Sequence, residues 1–275
     1  MMALILLVMV LLPKYIGGLI VHSSPLDFMK PKQEKYKGVI TVWNIAGFRP
    51  YVGSLGAWLK TVGARAEKYH YGVYFDIESI SEEEANSRIS NGEFPDIIAF
   101  SEGTVANEKL LAFIPRETLP VNGGESTVQS IHLASSCELL LYRRADISDL
   151  ELEHAAQEHS APSLDEFKSG KAPCCITDAR GAGDMYRLVL SNKADDFDVL
   201  SPYYETPLNQ HIGISAHIDS EKIDYAIEFI ELCLDIKAQK ALTELGLMPA
   251  RNDIPLEYEQ SFLKEAYEKL KNGEN

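Results

Sequence analysis

The pattern of apolar residues between Val39 and Phe100 is the feature that most constrains the fold of this chain. Val39 to Trp43, Val73 to Ile77 and Asp96 to Phe100 are short apolar or alternating runs of the length and composition of β-strands. Between them, apolar residues recur every three or four positions, as they do on the buried face of a helix. The order strand, helix, strand, helix, strand predicts a parallel sheet with helices on its faces.

The loops that follow the first and third of these strands carry candidate ligand-binding side chains. The carboxyl ends of parallel strands share one edge of a sheet, and α/β proteins usually bind their ligands there. The candidates at this edge are Asn44 and Arg49 after the first strand and Ser101 and Glu102 after the third. The alternative is an ordinary strand-to-helix turn in which Ser101 or Thr104 caps the next helix.

The amino terminus is strongly apolar. Met2 to Leu12 is an unbroken apolar run, and apolar character resumes from Tyr15 to Val21 after Pro13 and Lys14. Because a basic start, a small-residue cleavage site and a following cysteine are missing, the segment resembles a signal anchor more than a cleaved signal peptide. A buried core helix is the weaker alternative. We expect residues 1–24 to be a signal or membrane anchor, residues 25–37 to be a solvated linker, and the remaining chain to lie outside the cytoplasmic membrane, anchored at the cell surface or secreted.

Charge and cysteine usage exclude several classes of partner. The chain has 41 acidic and 26 basic residues and a net charge of −15, which argues against nucleic acid or an anionic membrane surface as a partner. The cysteines Cys137, Cys174, Cys175 and Cys233 match neither a zinc-binding spacing nor a disulfide framework. We expect buried thiols, and we expect neither a metal site nor a cofactor.

Catalysis is not indicated by any motif. A cysteine nucleophile at Cys174 or Cys175 would need a neighbouring base, and no motif links a histidine to either thiol. Phosphate-binding loops and the common hydrolase and metalloprotease motifs are absent from the sequence. We therefore expect a protein that is not an enzyme.

A second run of strand and helix patterns starts after residue 160. Ser163 and Glu166 form a capping box for a short helix, and Ala172 to Thr177 is a strand. A turn of small residues from Asp178 to Gly183 then precedes another helix, with Arg180 placed to face a cleft. This restart predicts a second lobe.

Several segments together resemble the extracellular solute-binding proteins of bacterial ABC importers, in particular their sugar-binding group. In the first half these segments are VITVWNIAG, GVYFDIESIS and NGEFPDIIAFSEG. In the second half they are FKSGKAPCCITDARG and the long segment from TPLNQHIGIS to LMPARNDI. The resemblance covers about residues 39–253.

The resemblance implies an α/β, two-lobed, periplasmic-binding-protein-like fold of type 2. Each lobe would be a mostly parallel sheet flanked by helices, and several chain crossings would form the hinge. The expected lobes are residues 38–134 plus 214–247 and residues 135–213 plus 248–275. The chain departs from the family between Tyr142 and Ser163, where it is short, so that the second lobe is reduced. It also lacks the usual lipid-bearing cysteine.

The resemblance also implies a function. The protein would be a monomer that captures a small polar solute, most simply a carbohydrate, and delivers it to the permease subunits of an ABC transporter. The alternatives are a membrane-tethered ligand sensor with the same fold and, less favoured, an enzyme. The implied ligand-binding residues are Asn44, Phe48, Arg49, Phe100, Ser101, Glu102, Ser136, Arg180, Tyr203 and Tyr204. For Phe100 and the two tyrosines the alternative is a place in the core, and for Arg180 it is a surface ion pair.

Overall fold

The computed structural model describes residues 36–104, 110–115, 127–148, 151–152, 162–200 and 207–272. In chain order, its strands and main helices are β1 (Gly38–Ile45), α1 (Leu55–Ala66), β2 (Val73–Ser79), α2 (Glu82–Ser90), β3 (Ile97–Ser101), β4 (Ile114–Pro115), β5 (Thr127–Val128), β6 (Ile131–Ser136), β7 (Leu139–Tyr142), α3 (Leu164–Lys168), β8 (Cys174–Thr177), α4 (Ala179–Leu190), β9 (Asp198–Leu200), β10 (Leu208–Ile214), α5 (Ile223–Cys233), α6 (Ile236–Glu244), β11 (Met248–Pro249) and α7 (Ser261–Asn272).

A six-stranded sheet has the spatial order β11-β6-β10-β3-β1-β2. The strand β1 pairs in parallel with β2 and β3, which confirms the parallel arrangement predicted from the first half of the sequence. The strand β10 runs antiparallel between β3 and β6, and β11 extends the sheet antiparallel to β6. The sheet is therefore parallel on one side and antiparallel on the other.

One face of this sheet packs against α1, α5 and α6. The hydroxyl of Ser54 accepts a hydrogen bond from the backbone N–H of Ala57 and begins α1. The apolar face of α1, which includes Leu59 and Val62, is buried against the sheet. On α5, Phe229 is fully buried and stacks on Phe75 of β2 with ring centroids 4.8 Å apart. This face holds the largest hydrophobic core of the described chain.

The other face of the same sheet packs against α2 through Trp43, Ile98 and Ala85. At the start of β3, the buried carboxylate of Asp96 accepts hydrogen bonds from the Thr41 backbone N–H at 2.8 Å and from Lys222 Nζ at 3.0 Å. Since Lys222 immediately precedes α5, this ion pair joins the helix to the middle of the sheet.

A smaller sheet has the spatial order β8-β7-β9. Both neighbours of β7 are antiparallel to it, so the expectation of a mostly parallel sheet is wrong for this lobe. The connection through α4 does keep β8 and β9 in the same direction, but β7 lies between them in the opposite direction. Phe167 of α3, Met185 of α4 and Tyr267 of α7 are fully buried in the core of this sheet. The predicted capping box of Ser163 and Glu166 is present at the start of α3.

The chain passes from the larger to the smaller sheet after β6 and returns between β9 and β10. After β11 it leaves the larger sheet again, because α7 packs in the core of the smaller one. Two separate sheets with separate cores confirm the predicted two-lobed α/β fold. The strand β10, most of which was assigned to the second lobe by sequence, pairs along its length with β3 and β6. The exact lobe boundaries stay a prediction.

Candidate functional site

The carboxyl ends of β1 and β3 are joined by the Ser101 side chain. The Ser101 hydroxyl accepts a hydrogen bond from the Gly47 backbone N–H at 2.6 Å and donates one to Gln210 Oε1 at 2.7 Å. A Cβ at residue 47 would lie 2.9 Å from the Cβ of Ser101, so only glycine allows this approach. Gln210 is fully buried, and its Nε2 has no hydrogen-bond partner among the described residues. Ser101 therefore fixes the loop after β1 to β3 and β10.

Asn44 and Phe48 lie inside the larger lobe. Asn44 is buried, and its Nδ2 donates to Ser79 Oγ at 3.1 Å, which links the ends of β1 and β2. Its Oδ1 has no hydrogen-bond partner in the described part of the chain. The Phe48 ring is buried in the core between the sheet and α1. Both residues therefore support the loop after β1 from the interior of the lobe.

Arg49 of this loop contacts the smaller lobe. Its backbone N–H and its Nε both donate to Asp178 Oδ2, at 3.2 and 3.1 Å. Asp178 is also the N-cap of α4, since its Oδ1 accepts from the Gly181 backbone N–H at 2.9 Å. The hydrogen bond and the negative charge of Asp178 raise the pKa of Arg49. Asp178 thus caps the N-terminus of α4 and also accepts hydrogen bonds from Arg49 of the larger lobe.

Arg180 makes the reciprocal contact from the first turn of α4. Its Nε donates to the Pro50 carbonyl oxygen at 2.9 Å, and its Nη2 donates to the Gly53 carbonyl oxygen. Between these carbonyls, the Tyr51 ring packs into the core of the smaller lobe, close to Gly183. In this structure the predicted ligand-binding residues Arg49 and Arg180 are therefore hydrogen-bonded across the two lobes.

Polar side chains form a continuous row along β3, β10 and β6, which we call the Glu102 row. Asn209 Nδ2 donates to Glu102 Oε2 at 3.1 Å, and Ser135 Oγ donates to Asn209 Oδ1 at 2.8 Å. His132 Nε2 lies 2.7 Å from Ser135 Oγ. The row is at the edge where β6 ends and the chain enters the smaller lobe.

Aromatic rings continue the Glu102 row. His211 pairs with Phe100 of β3 on one side and with His132 of β6 on the other. The Phe100 and His211 rings are stacked with centroids 5.9 Å apart, and the His211 and His132 centroids are 5.8 Å apart. Burial lowers the pKa of both imidazoles, while the Glu102 charge opposes this effect. Because the pKa of both imidazoles is lowered from 6.5, His132 and His211 are neutral donors and acceptors at neutral pH.

Of the residues in and beside this row, Phe100 and Glu102 were predicted from the sequence to bind ligand. His132, Ser135, Asn209 and His211 were not among the predicted residues. The sequence shows no clear alternation here, because Asn209, Gln210 and His211 are three consecutive polar residues in β10. Only their spacing of two residues places Asn209 and His211 on one face. Ser136 is fully buried at the end of β6. Tyr203 and Tyr204 lie outside the described residues.

The described residues show neither a metal-binding cluster nor a membrane-spanning helix. They contain no group of three or more histidine, cysteine, aspartate or glutamate side chains placed to hold a metal ion. None of the helices within the described ranges is long and apolar enough to cross a membrane. The predicted anchor at residues 1–24 lies outside these ranges.

No family model and no curated protein matches the sequence. Solved structures do resemble the fold. The GacH receptor of Streptomyces glaucescens, solved unliganded and with acarbose, is similar with a TM-score of 0.60 and 14% identity, covering 86% of this chain and 87% of that one. Iron-bound HitA of Pseudomonas aeruginosa has a TM-score of 0.56 and 13% identity over 85% and 98% of the two chains.

A third similar structure is an ABC substrate-binding protein of Listeria monocytogenes in complex with cycloalternan. Its TM-score is 0.52 and its identity is 13%, over 87% of this chain and 85% of that one. These likenesses extend over most of each chain. They show that the protein has the two-lobed, periplasmic-binding-protein-like fold.

Proposed function

We propose that this protein is an extracytoplasmic solute-binding protein that captures a small polar solute, specifically a carbohydrate, for an ABC importer. The observation that carries the proposal is the Glu102 row at the edge shared by the two lobes. Its carboxylate, amide, hydroxyl and imidazole groups are hydrogen-bonded to each other in the row. When a sugar binds, its hydroxyl groups can replace these partners. The stacked rings of Phe100 and His211 offer an apolar surface for a sugar ring.

The charge of the row supports a neutral ligand over an anionic one. Glu102 is the acidic residue of the row, and in the described residues neither a lysine nor an arginine is hydrogen-bonded to the row. A buried anion would need such a partner. The similar structures with acarbose and cycloalternan agree with a carbohydrate, whereas iron-bound HitA shows that the fold also serves other ligands.

Within this proposal, the predicted site residues have different roles. Phe100 and Glu102 contact the solute directly, together with Asn209 and His132. Asn44, Phe48, Ser101 and Ser136 support the loops and strands around it, and Arg49 and Arg180 hold the lobes together. Tyr203 and Tyr204 precede β10 in the sequence but lie outside the described residues, and their role stays a prediction.

A binding role fits the state of the cysteines. Cys174 and Cys175 were the candidate nucleophiles, and both are buried and free. Burial raises the pKa of Cys174 and raises that of Cys175 to about 12. A thiol with so high a pKa supplies almost no thiolate at neutral pH. We therefore propose a binding protein without enzymatic activity. We further propose that the protein is a monomer and that its apolar amino terminus holds it outside the cytoplasmic membrane.

The test is a thermal-shift screen of the full-length protein in detergent against sugars, amino acids, polyamines, ferric ion and oxyanions, because a ligand of the folded state raises the melting temperature. Calorimetric titration of the best ligand then compares Glu102→Ala with the control Glu83→Ala on α2. Loss of a charge-assisted hydrogen bond should weaken binding roughly ten- to hundredfold in Glu102→Ala and leave the control unchanged. If Glu102→Ala and Glu83→Ala bind the ligand equally well, the proposed site is wrong. If only iron or oxyanions raise the melting temperature, the proposed carbohydrate ligand is wrong. If the protein converts the ligand into a product, the binding role is wrong.

A further inference from the structure

The end of the larger lobe where the chain enters it exposes an unusual group of aromatic side chains. The turn between α1 and β2 carries Tyr69 and Tyr71, and Tyr74 follows in β2 beside Val39 of β1. The exposed fractions are 65% for Tyr69, 79% for Tyr71, 57% for Tyr74 and 46% for Val39. Isolated exposed apolar residues need no explanation, but several at one end of a domain indicate a contact surface.

Lysines accompany these tyrosines. Lys37 Nζ lies 5.7 Å from the centre of the Tyr71 ring, and the aliphatic part of Lys37 packs on Gly72. Lys68 is exposed beside Tyr69. We call the group formed by Val39, Tyr69, Tyr71, Tyr74, Lys37 and Lys68 the tyrosine face. Tyrosine and lysine together are the side chains that favour the interface between an anionic bilayer and water.

The direction of the chain gives this face a specific partner. Tyr36 is held by the Tyr225 ring, with centroids 6.1 Å apart, and Gly38 donates to the Gly72 carbonyl at 2.9 Å. The preceding segment therefore reaches the domain beside the tyrosine face. That segment, Lys30 to Lys37, carries four lysines and one glutamate. If residues 1–24 anchor the chain, residues 25–35 can extend at most about 40 Å from the bilayer.

From this juxtaposition we propose that the tyrosine face rests on the anionic lipid surface of the membrane in which the amino terminus is anchored. The inference rests on the anchoring included in the proposed function. The net charge of −15 does not prevent the contact, because charges farther than about 8 Å from the lipid are largely screened at physiological salt. The acidic groups near the face include Glu67, whose Oε1 accepts from the Phe75 backbone N–H, and Asp76, which is exposed. A third is Glu228, whose Oε2 lies 2.7 Å from Nε2 of His70, the residue between Tyr69 and Tyr71.

The test uses the full-length protein reconstituted into vesicles of neutral phosphatidylcholine, with or without anionic phosphatidylglycerol. Vesicle flotation first measures anchoring. Hydroxyl-radical footprinting then measures the oxidation rate of each tyrosine, with exposed Tyr186 of the smaller lobe as an internal control. We expect Tyr69, Tyr71 and Tyr74 to be oxidised about threefold more slowly in anionic than in neutral vesicles, with Tyr186 unchanged, because each lysine near the surface strengthens the contact.

Charge-reversal variants separate this contact from the anchor. Lys37→Glu combined with Lys68→Glu should abolish the protection in anionic vesicles, whereas Lys193→Glu, an exposed lysine of the smaller lobe, should keep it. Both variants should still float with the vesicles. Protein that does not float would overturn the anchoring on which the inference rests. Floating protein whose three tyrosines are oxidised equally fast in both kinds of vesicle would overturn the tyrosine face alone, and so would protection that survives the double charge reversal.

Discussion

The two lobes obtain their cores in different ways. The core of the larger lobe packs α1, α5 and α6 against one face of its sheet, while α2 covers the other face. The core of the smaller lobe requires α7, which arrives from the end of the described chain and contributes Leu263, Ala266 and Tyr267. Both lobes therefore receive late segments of the chain, but the smaller lobe, with a short sheet of its own, depends on the last described helix.

The largest effect should come from removing the Tyr267 side chain from the smaller core. Tyr267 is fully buried, and its hydroxyl donates to the Gly246 carbonyl oxygen at 2.9 Å. Tyr267→Ala should reduce the free energy of unfolding by about 3–5 kcal/mol, and Tyr267→Phe by about 1–3 kcal/mol. Urea titration followed by circular dichroism measures both. If the lobes unfold separately, only the transition of the smaller lobe should move to a lower urea concentration. If the whole unfolding curve moves, the two cores unfold together.

The buried ion pair of the larger lobe should give the next effect. Asp96→Ala leaves Lys222 without its carboxylate at a position where only 16% of the lysine side chain is exposed. We expect a loss of about 3 kcal/mol in the free energy of unfolding, since the remaining charge is buried. Asp219→Ala is the matched control, because Asp219 lies 3.8 Å from the same ammonium group and is 80% exposed. Comparable losses in both variants, measured by urea titration, would argue against a role for burial.

A smaller effect should follow from loosening the contact between the lobes. Arg180→Ala removes the hydrogen bonds to the Pro50 and Gly53 carbonyls, and we expect a loss of about 1–2 kcal/mol. Arg187→Ala on the same helix breaks only an exposed pair with Asp184 and should cost less than about 0.5 kcal/mol. Small-angle X-ray scattering should show a larger radius of gyration for the first variant alone. An unchanged radius would mean that other contacts suffice to hold the lobes.

The smallest effect should be a pH dependence confined to the larger lobe. Burial holds the pKa of His132 below its ordinary value of 6.5, so the unfolded chain binds a proton at higher pH than the folded one. The resulting contribution to the free energy of unfolding is fully present above the unfolded-state pKa of about 6.5. It is lost as the pH falls from there through the lower pKa of His132 in the folded protein. His132→Asn should therefore flatten the acid-side decrease of the melting temperature between about pH 7 and 5. A parallel decrease in both proteins would assign the effect to other groups.

Much of the fold was predictable, because periodicity reports which face of an element is buried. The elements β1 to β3 and the helices between them follow from it directly. Periodicity does not report strand direction, however, and β7 and β10 run antiparallel to their neighbours. The site was less predictable. Arg49 and Arg180 were predicted to bind ligand, and that role stays a prediction. The sequence could not show that Asp178 accepts hydrogen bonds from Arg49 and that backbone carbonyls accept them from Arg180.

The direction of β1 has a consequence for how the protein could meet a membrane partner. This strand is eight residues long, roughly 26 Å. The chain from the amino terminus enters at its first residue, and the edge of the sheet that carries the Glu102 row lies at its last. The two are therefore at opposite poles of the larger lobe. If the domain rests on its tyrosine face, the Glu102 row points away from the bilayer. To present a bound solute to a permease, the domain would then have to rotate about its linker. The length of residues 25–35 would then determine whether the domain can rotate in this way.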